Sequence, residues 1–246
     1  MKKLLLSAFV ICLAGTSIAQ ESPLWMRHCA LSPDGTTIAF TYKGDIYTVP
    51  STGGRATQIT TNPAFDTEPV WSPDSKQIAF ASDRMGSLDV FVVSSEGGAP
   101  QRLTTHSGSE KPVAYKDNKH ILFTANIAPS AEDAGFPSGQ FQQVYEVAVT
   151  GGRPAMFSSM PMECISINKE GVMLYQDKKG YEDYWRKHQV SPIARDIWTY
   201  TPGKKPVYQK QTTFGGEDRE PVWSPDGKSF YYLSEEKGSF LSLIHI

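Results

Sequence analysis

One short unit is written several times along this chain, and that repetition limits its fold more than any other feature. One copy reads Glu68-Pro69-Val70-Trp71-Ser72-Pro73-Asp74-Ser75-Lys76-Gln77-Ile78-Ala79-Phe80; another reads Glu220-Pro221-Val222-Trp223-Ser224-Pro225-Asp226-Gly227-Lys228-Ser229-Phe230-Tyr231-Tyr232. A third spans residues 31–40, and weaker copies span 113–123 and 165–175. Their acidic turn residues Asp34, Asp74, Asp117, Glu170 and Asp226 are 40, 43, 53 and 56 residues apart. Such spacings suit a blade of four short antiparallel strands.

Each unit has a physical reading. An apolar strand ends at Ser-Pro-Asp-Gly, where proline presets φ, the aspartate side chain bonds local backbone and glycine accepts a positive φ. A second strand ends in an aromatic: Phe40, Phe80, Phe123 or Tyr175. A third strand comes next, such as Asp45-Ile46-Tyr47-Thr48-Val49 or Asp89-Val90-Phe91-Val92-Val93, and a Gly-Gly pair then turns the chain at 53–54, 97–98 and 151–152. A short fourth strand closes the unit. One blade cannot bury both faces, so blades must stack. The expected fold is an all-β propeller of four-stranded antiparallel blades, with about four and a half present here. The blades fall near 27–62, 63–106, 107–160, 161–216 and 217–240. Trp71 and Trp223 share their slot with Leu31, Ala114 and Ile167, which reads as packing between blades.

The ends carry their own signals. Lys2 and Lys3 precede an apolar stretch over residues 4–14, and Ser17-Ile18-Ala19 supplies small residues for a signal peptidase. A signal peptide over 1–19 is expected, with export to the periplasm or beyond and a propeller over 20–240. A lipoprotein reading at Cys12 meets bulky Val10 and Ile11. Residues 241–246 break the blade pattern and are expected to be a non-native tail, the gene continuing past it. The formal net charge of −2 carries none of the basic excess of a nucleic-acid binder, and no later apolar run is long enough to span a membrane. Cys29 and Cys164 fall on inner strands of blades one and four, separated by a channel, so both are expected as free thiols.

The Trp-Ser-Pro-Asp-Gly-Lys unit, with its Asp-Ile-Tyr strand and Gly-Gly turn, resembles the repeat of TolB-type propellers. The run Trp185-Arg186 to Ser191-Pro192-Ile193-Ala194-Arg195-Asp196-Ile197-Trp198, with Phe214-Gly215-Gly216-Glu217-Asp218-Arg219-Glu220-Pro221-Val222, is similar to the N-terminal propeller of tricorn-type proteases. That resemblance implies a six-bladed propeller, then a second propeller, a PDZ domain and a serine peptidase domain. The family's catalytic residues would lie beyond Ile246, so none is carried over. Implied partners are peptides, those further domains and further copies in an oligomer. Two other readings stay open: a TolB-like non-enzymatic adaptor, and the propeller of a prolyl-oligopeptidase-like hydrolase. The start of blade one near Arg27 leaves no room for the α/β domain that precedes the propeller in TolB.

The register of the repeats gives the candidate site residues. The position before each inner strand holds His28, Glu68, Lys111, Cys164 and Glu220, which would ring one mouth of the central channel. Asp66, Glu110, Glu163, Glu217 and Asp218 lie nearby and suggest either a solvated rim or a funnel for cationic peptide ends. Two insertions lengthen blades three and four, and Tyr181, Tyr184 and Trp185 in the second are candidate contacts for a partner. His188 and Ser191 lie close together but lack a third partner, and no Gly-x-Ser-x-Gly elbow or His-Glu-x-x-His spacing occurs. No catalytic residue, metal or cofactor is therefore expected in this chain.

Overall fold

The Ser-Pro-Asp turn folds as its chemistry dictates. Ser72 Oγ donates to Asp74 Oδ1 at 2.7 Å and accepts from the Gln77 N–H at 2.9 Å, while the Ser75 N–H closes the turn on Ser72 O at 2.9 Å. Ser32 with Asp34 and Ser224 with Asp226 repeat the first bond at 2.6 Å. The next residue takes the left-handed conformation: Gly35 at φ 74°, Ser75 at φ 60° and Gly227 at φ 70°. These turns join the first two strands of three blades.

The computed structural model describes residues 25–127, 141–180 and 190–245. Blade one is β1 (Arg27–Leu31), β2 (Thr37–Tyr42), β3 (Asp45–Pro50) and β4 (Thr57–Gln58). Blade two is β5 (Asp66–Trp71), β6 (Gln77–Ser82), β7 (Asp89–Ser94) and β8 (Gln101–Arg102). Blade three is β9 (Lys111–Asp117), β10 (His120–Ala125), β11 (Gln143–Ala148) and β12 (Ala155–Ser158). Blade four is β13 (Met162–Ile167), β14 (Met173–Asp177), β15 (Ile197–Thr201) and β16 (Val207–Lys210). Blade five is β17 (Asp218–Trp223), β18 (Phe230–Ser234) and β19 (Leu241–His245). Every pairing is antiparallel and sequential, and the first strands of consecutive blades pack on one another.

The middle strands β6, β7, β10 and β14 are buried along nearly their whole length, because neighbouring blades cover both faces, whereas β3 alternates. One seam buries Ala39, Ile46 and Ile59 of blade one against Trp71, Ile78, Phe80 and Phe91 of blade two. The Trp71 indole N–H donates to Ala30 O at 2.9 Å, and that of Trp223 donates to Val172 O at 3.2 Å in the preceding blade. These tryptophans are interblade wedges. The aromatics ending the second strands pair with the third: Phe40 with Tyr47, Phe80 with Phe91, and Phe123 with Tyr145, all stacked.

Three expectations are corrected. The described residues hold five blades, four of them four-stranded and the fifth three-stranded, not six or four and a half. The third strand of blade five is β19: residues 241–245 pair with β18 from Ser234↔Leu241 to Phe230↔His245. Their alternation suits a strand, and Gly238 at φ 92° supplies the turn before it. The third correction is register. Tyr115↔Ile121 in blade three matches Trp71↔Ile78 in blade two, so Tyr115 and not Ala114 fills the tryptophan slot. The β9–β10 turn is one residue shorter than its counterpart, and a one-residue slip exchanges the two faces of a strand.

Candidate functional site

The inner strands share a defect that shapes the channel mouth. In four blades the ladder skips two residues: between Arg27 and Ala30, Thr67 and Val70, Glu163 and Ser166, and Arg219 and Val222. The first skipped residue is left-handed each time: His28 at φ 50°, Glu68 at φ 55°, Cys164 at φ 52° and Glu220 at φ 54°. None is glycine, and each position costs roughly 1–2 kcal/mol. A bulge of this kind re-aims a side chain, and here it acts at four of the five residues expected to ring the mouth.

The fifth is displaced by the register slip. Lys111 pairs with Thr124, as Thr67 pairs with Ala81, so it sits one residue before the bulge position. Its ammonium still donates to Glu68 Oε1 at 2.7 Å, which joins blades two and three at the rim. His28, Cys164 and Glu220 are exposed, while Glu68 and Lys111 are half-buried.

Cys29 and Cys164 are both free and exposed. Protein nevertheless crowds around the Cys164 thiol. That burial, with the charges of Glu163 and Glu220, pushes it up to about 12. Access follows the open surface and the titration follows the crowding, so the group is a thiol and a weak nucleophile at neutral pH.

Most of the neighbouring acids are neutralised inside the fold. Asp66 is fully buried and takes two bonds from Arg84 at 3.0 and 2.9 Å. Glu217 is buried against Arg195 at 2.5 Å. Burial alone would raise the Glu163 carboxyl, but Lys178 at 2.9 Å and the Gln176 amide outweigh it and hold it below the ordinary range. Glu110 and Asp218 are also buried. The charge open to solvent at this end is therefore smaller than the count of acids suggests.

The same end exposes Trp25, Met26, Phe65 and Met85. Trp25 and Met26 precede β1, Phe65 precedes β5, and Met85 lies in the β6–β7 loop, which returns to that end. The Phe65 N–H donates to Asp83 Oδ1 at 2.8 Å and fixes one loop against the other.

A cleft of about 300 Å³ lies beside blade four, lined by Lys179, Val190, Ser191, Pro192, Asp196 and Phe214 among others. Ser191 Oγ accepts from the Ile193 N–H at 3.3 Å, a turn contact. His188, Tyr181, Tyr184 and Trp185 lie outside the described residues, as do residues 1–19. Among the described residues no three metal-ligating side chains converge, and no helix is long and apolar enough to cross a membrane.

Sequence reasoning missed the bulges, since no residue type marks them. It also missed a set of acid pairs between blades, for which a regular Asp…Thr…acid spacing was available.

The comparisons with known proteins agree with this architecture. The chain is 39% identical over 209 residues to Tricorn protease homolog 1 of Streptomyces coelicolor, a match covering 84% of this chain and 19% of that protein. It spans 16% of another curated relative. The tricorn protease crystal structure superposes with a TM-score of 0.69 at 16% identity, over 91% of this chain and 21% of that one. TolB from Acinetobacter baumannii gives 0.62 at 19% identity, over 89% and 51%. The profile described as the tricorn protease N-terminal beta propeller domain matches residues 23–243, and the chain belongs to that family.

Proposed function

We propose that this chain is the exported propeller of a larger tricorn-type serine peptidase, serving as scaffold and as gate or path for peptides. The observation that carries the reading is the family match over residues 23–243, on a fold whose inner strands present His28, Glu68, Cys164 and Glu220 at one mouth. The chain covers only 19% of Tricorn protease homolog 1, which supports assigning catalysis to other domains of the parent protein. Lys2, Lys3 and the apolar residues after them support export. Peptides with a cationic end should bind the purified chain uncut, and a Glu68→Gln/Glu220→Gln pair should weaken binding several-fold, read by fluorescence anisotropy. Equal binding by the double variant would remove the gate, and cleavage by the purified chain would remove the scaffold reading.

A protein-binding adaptor is the second reading, favoured by Trp25, Met26, Phe65 and Met85 exposed around the mouth. The full-length gene product separates the two: hydrolysis of fluorogenic peptides blocked by a serine-directed inhibitor supports the peptidase, and inactivity supports the adaptor.

A further inference from the structure

Three of the four blade-to-blade seams contain the same trio of residues. An acid at the start of the third strand is followed by a threonine, and six residues later by the acid that leads the next inner strand. The trios are Asp45–Thr60–Asp66, Asp89–Thr104–Glu110 and Asp196–Thr212–Asp218. The contacts recur as well. The Ile46, Val90 and Ile197 N–H groups donate to the threonine hydroxyls at 3.0, 2.9 and 3.1 Å. The N–H of each second acid crosses the seam to the carbonyl preceding the first: Asp66 to Gly44 at 2.7 Å, Glu110 to Leu88 at 2.7 Å, and Asp218 to Arg195 at 3.0 Å.

The remaining seam breaks the pattern at both positions. Between blades three and four, Gln143 occupies the first acid's place and Met162 the second's. The pairings Ala125↔Gln143 and Met162↔Asp177 match Ser82↔Asp89 and Asp66↔Ser82. Both acids are lost together, as expected if they work as a pair.

Among the described residues only one carboxylate of each pair has a cation. Arg84 holds Asp66, Arg102 holds Asp89 at 2.9 Å, and Lys179 and Lys210 hold Asp196. Among the described residues Asp45, Glu110 and Asp218 form no salt bridge. Glu110 is fully buried with Oε1 lacking a hydrogen-bond partner, an arrangement costly for an ionised carboxylate. Asp218 is buried with the Thr212 and Ser234 hydroxyls facing it.

We propose that these three seams are pH-sensitive latches that loosen when a second negative charge forms at the acid pair, and that the seam between blades three and four lacks this response. Burial, with the partner acid's charge, lifts Asp45, Glu110 and Asp218 above the ordinary carboxylate range. Other charged groups face them: Arg84 at Asp45, His106 at Glu110, and Glu236 at Asp218, where the Tyr232 phenol is also close. Asp177 is a third acid beside the Asp196–Asp218 pair: it accepts from the Asp196 N–H at 2.8 Å, lies 3.6 Å from Lys179, and is itself raised by burial. Each folded value is raised, so the latch is at full strength below the ordinary carboxylate value. It weakens as pH rises through the folded one, the proton leaving to solvent. Within that window each retained proton changes the opening constant by up to about tenfold per pH unit.

Hydrogen exchange of the whole chain, corrected for the intrinsic pH dependence of exchange, reads the seams separately. On raising the pH from the ordinary carboxylate range to neutrality, β5, β9 and β17 should lose protection while β13 does not, the loss falling between each acid's ordinary and folded values and reaching at most about tenfold per pH unit there. Glu110→Gln should abolish the response at β9 alone. Equal loss at β13, or an unchanged β9 response in that variant, would overturn the proposal. Carboxyl NMR of the unmodified chain tests it without a variant: Glu110 must titrate above exposed glutamates, and an ordinary midpoint would overturn the latch.

Discussion

At Asp74 a single hydroxyl sets a titration. The Ser72 hydrogen bond leads the contacts that hold this carboxyl below its ordinary value of 3.8, and Ser224 does the same for Asp226. A depressed folded value gives a stabilising contribution that is present above the ordinary value and lost as pH falls through the folded one. Ser72→Ala should therefore move the Asp74 midpoint up towards the ordinary value in a carboxyl-carbon NMR titration; an unmoved midpoint would assign the shift elsewhere. Cys164 goes the opposite way. Its thiol is pushed up to about 12 on an exposed residue. Alkylation by iodoacetamide should be slow near pH 8 and still rising past about pH 10, because only the thiolate reacts. A rate plateau at lower pH would show that crowding does not control this group. Non-reducing peptide maps should contain no Cys29–Cys164 link.

At the scale of elements, blade three shows where pattern stops and packing decides. Tyr115 is buried in the seam with blade two beside Ile121 and Phe123, the place Trp71 holds one seam earlier. Tyr115→Ala should cost about 3–5 kcal/mol in chemical denaturation, as for other large buried aromatics; a loss below about 1 kcal/mol would mean that the slot is not filled as described. The blade repeat, the Ser-Pro-Asp turns and the aromatic ending each second strand were legible in the sequence because each rests on local chemistry. The slip in blade three was not: Val113-Ala114-Tyr115 fits either register by composition, and only contact with the next blade chooses. Residues 241–245 hid their strand for a different reason, since they lack the Asp-Ile-Tyr type of opening that marks a third strand elsewhere. The mouth was half legible. His28, Glu68, Cys164 and Glu220 share a bulge, but Lys111 lies one place away, and the burial of Asp66 and Glu110 depends on blades brought together only by folding.

For the whole molecule, the two outward faces of the stack decide how it behaves in solution. Val222, Tyr231 and Ile244 are direct cross-strand partners and form one row on blade five. Their counterparts on blade two, Val70, Ala79 and Val92, face blade three in a packed seam. On blade five the row is 55%, 45% and 52% exposed, and on blade one Leu31, in the tryptophan slot, is 59% exposed. Among the described residues no further blade covers either surface. A face of this kind leaves on the order of 300 Å² of apolar surface in water, worth about 7 kcal/mol at roughly 25 cal/mol per Å². That is comparable to the stability of many domains. Two copies meeting through these rows recover part of it, so the chain should self-associate with rising concentration in sedimentation velocity. Ile244→Lys and Tyr231→Lys should each shift the distribution towards monomer, because a buried lysine without a partner opposes the contact. Neither residue is packed into an interior seam, so the far-UV spectrum should stay unchanged. A chain that sediments as a monomer at every concentration, or one whose association survives both substitutions, would show that the exposed rows are not the adhesive surface.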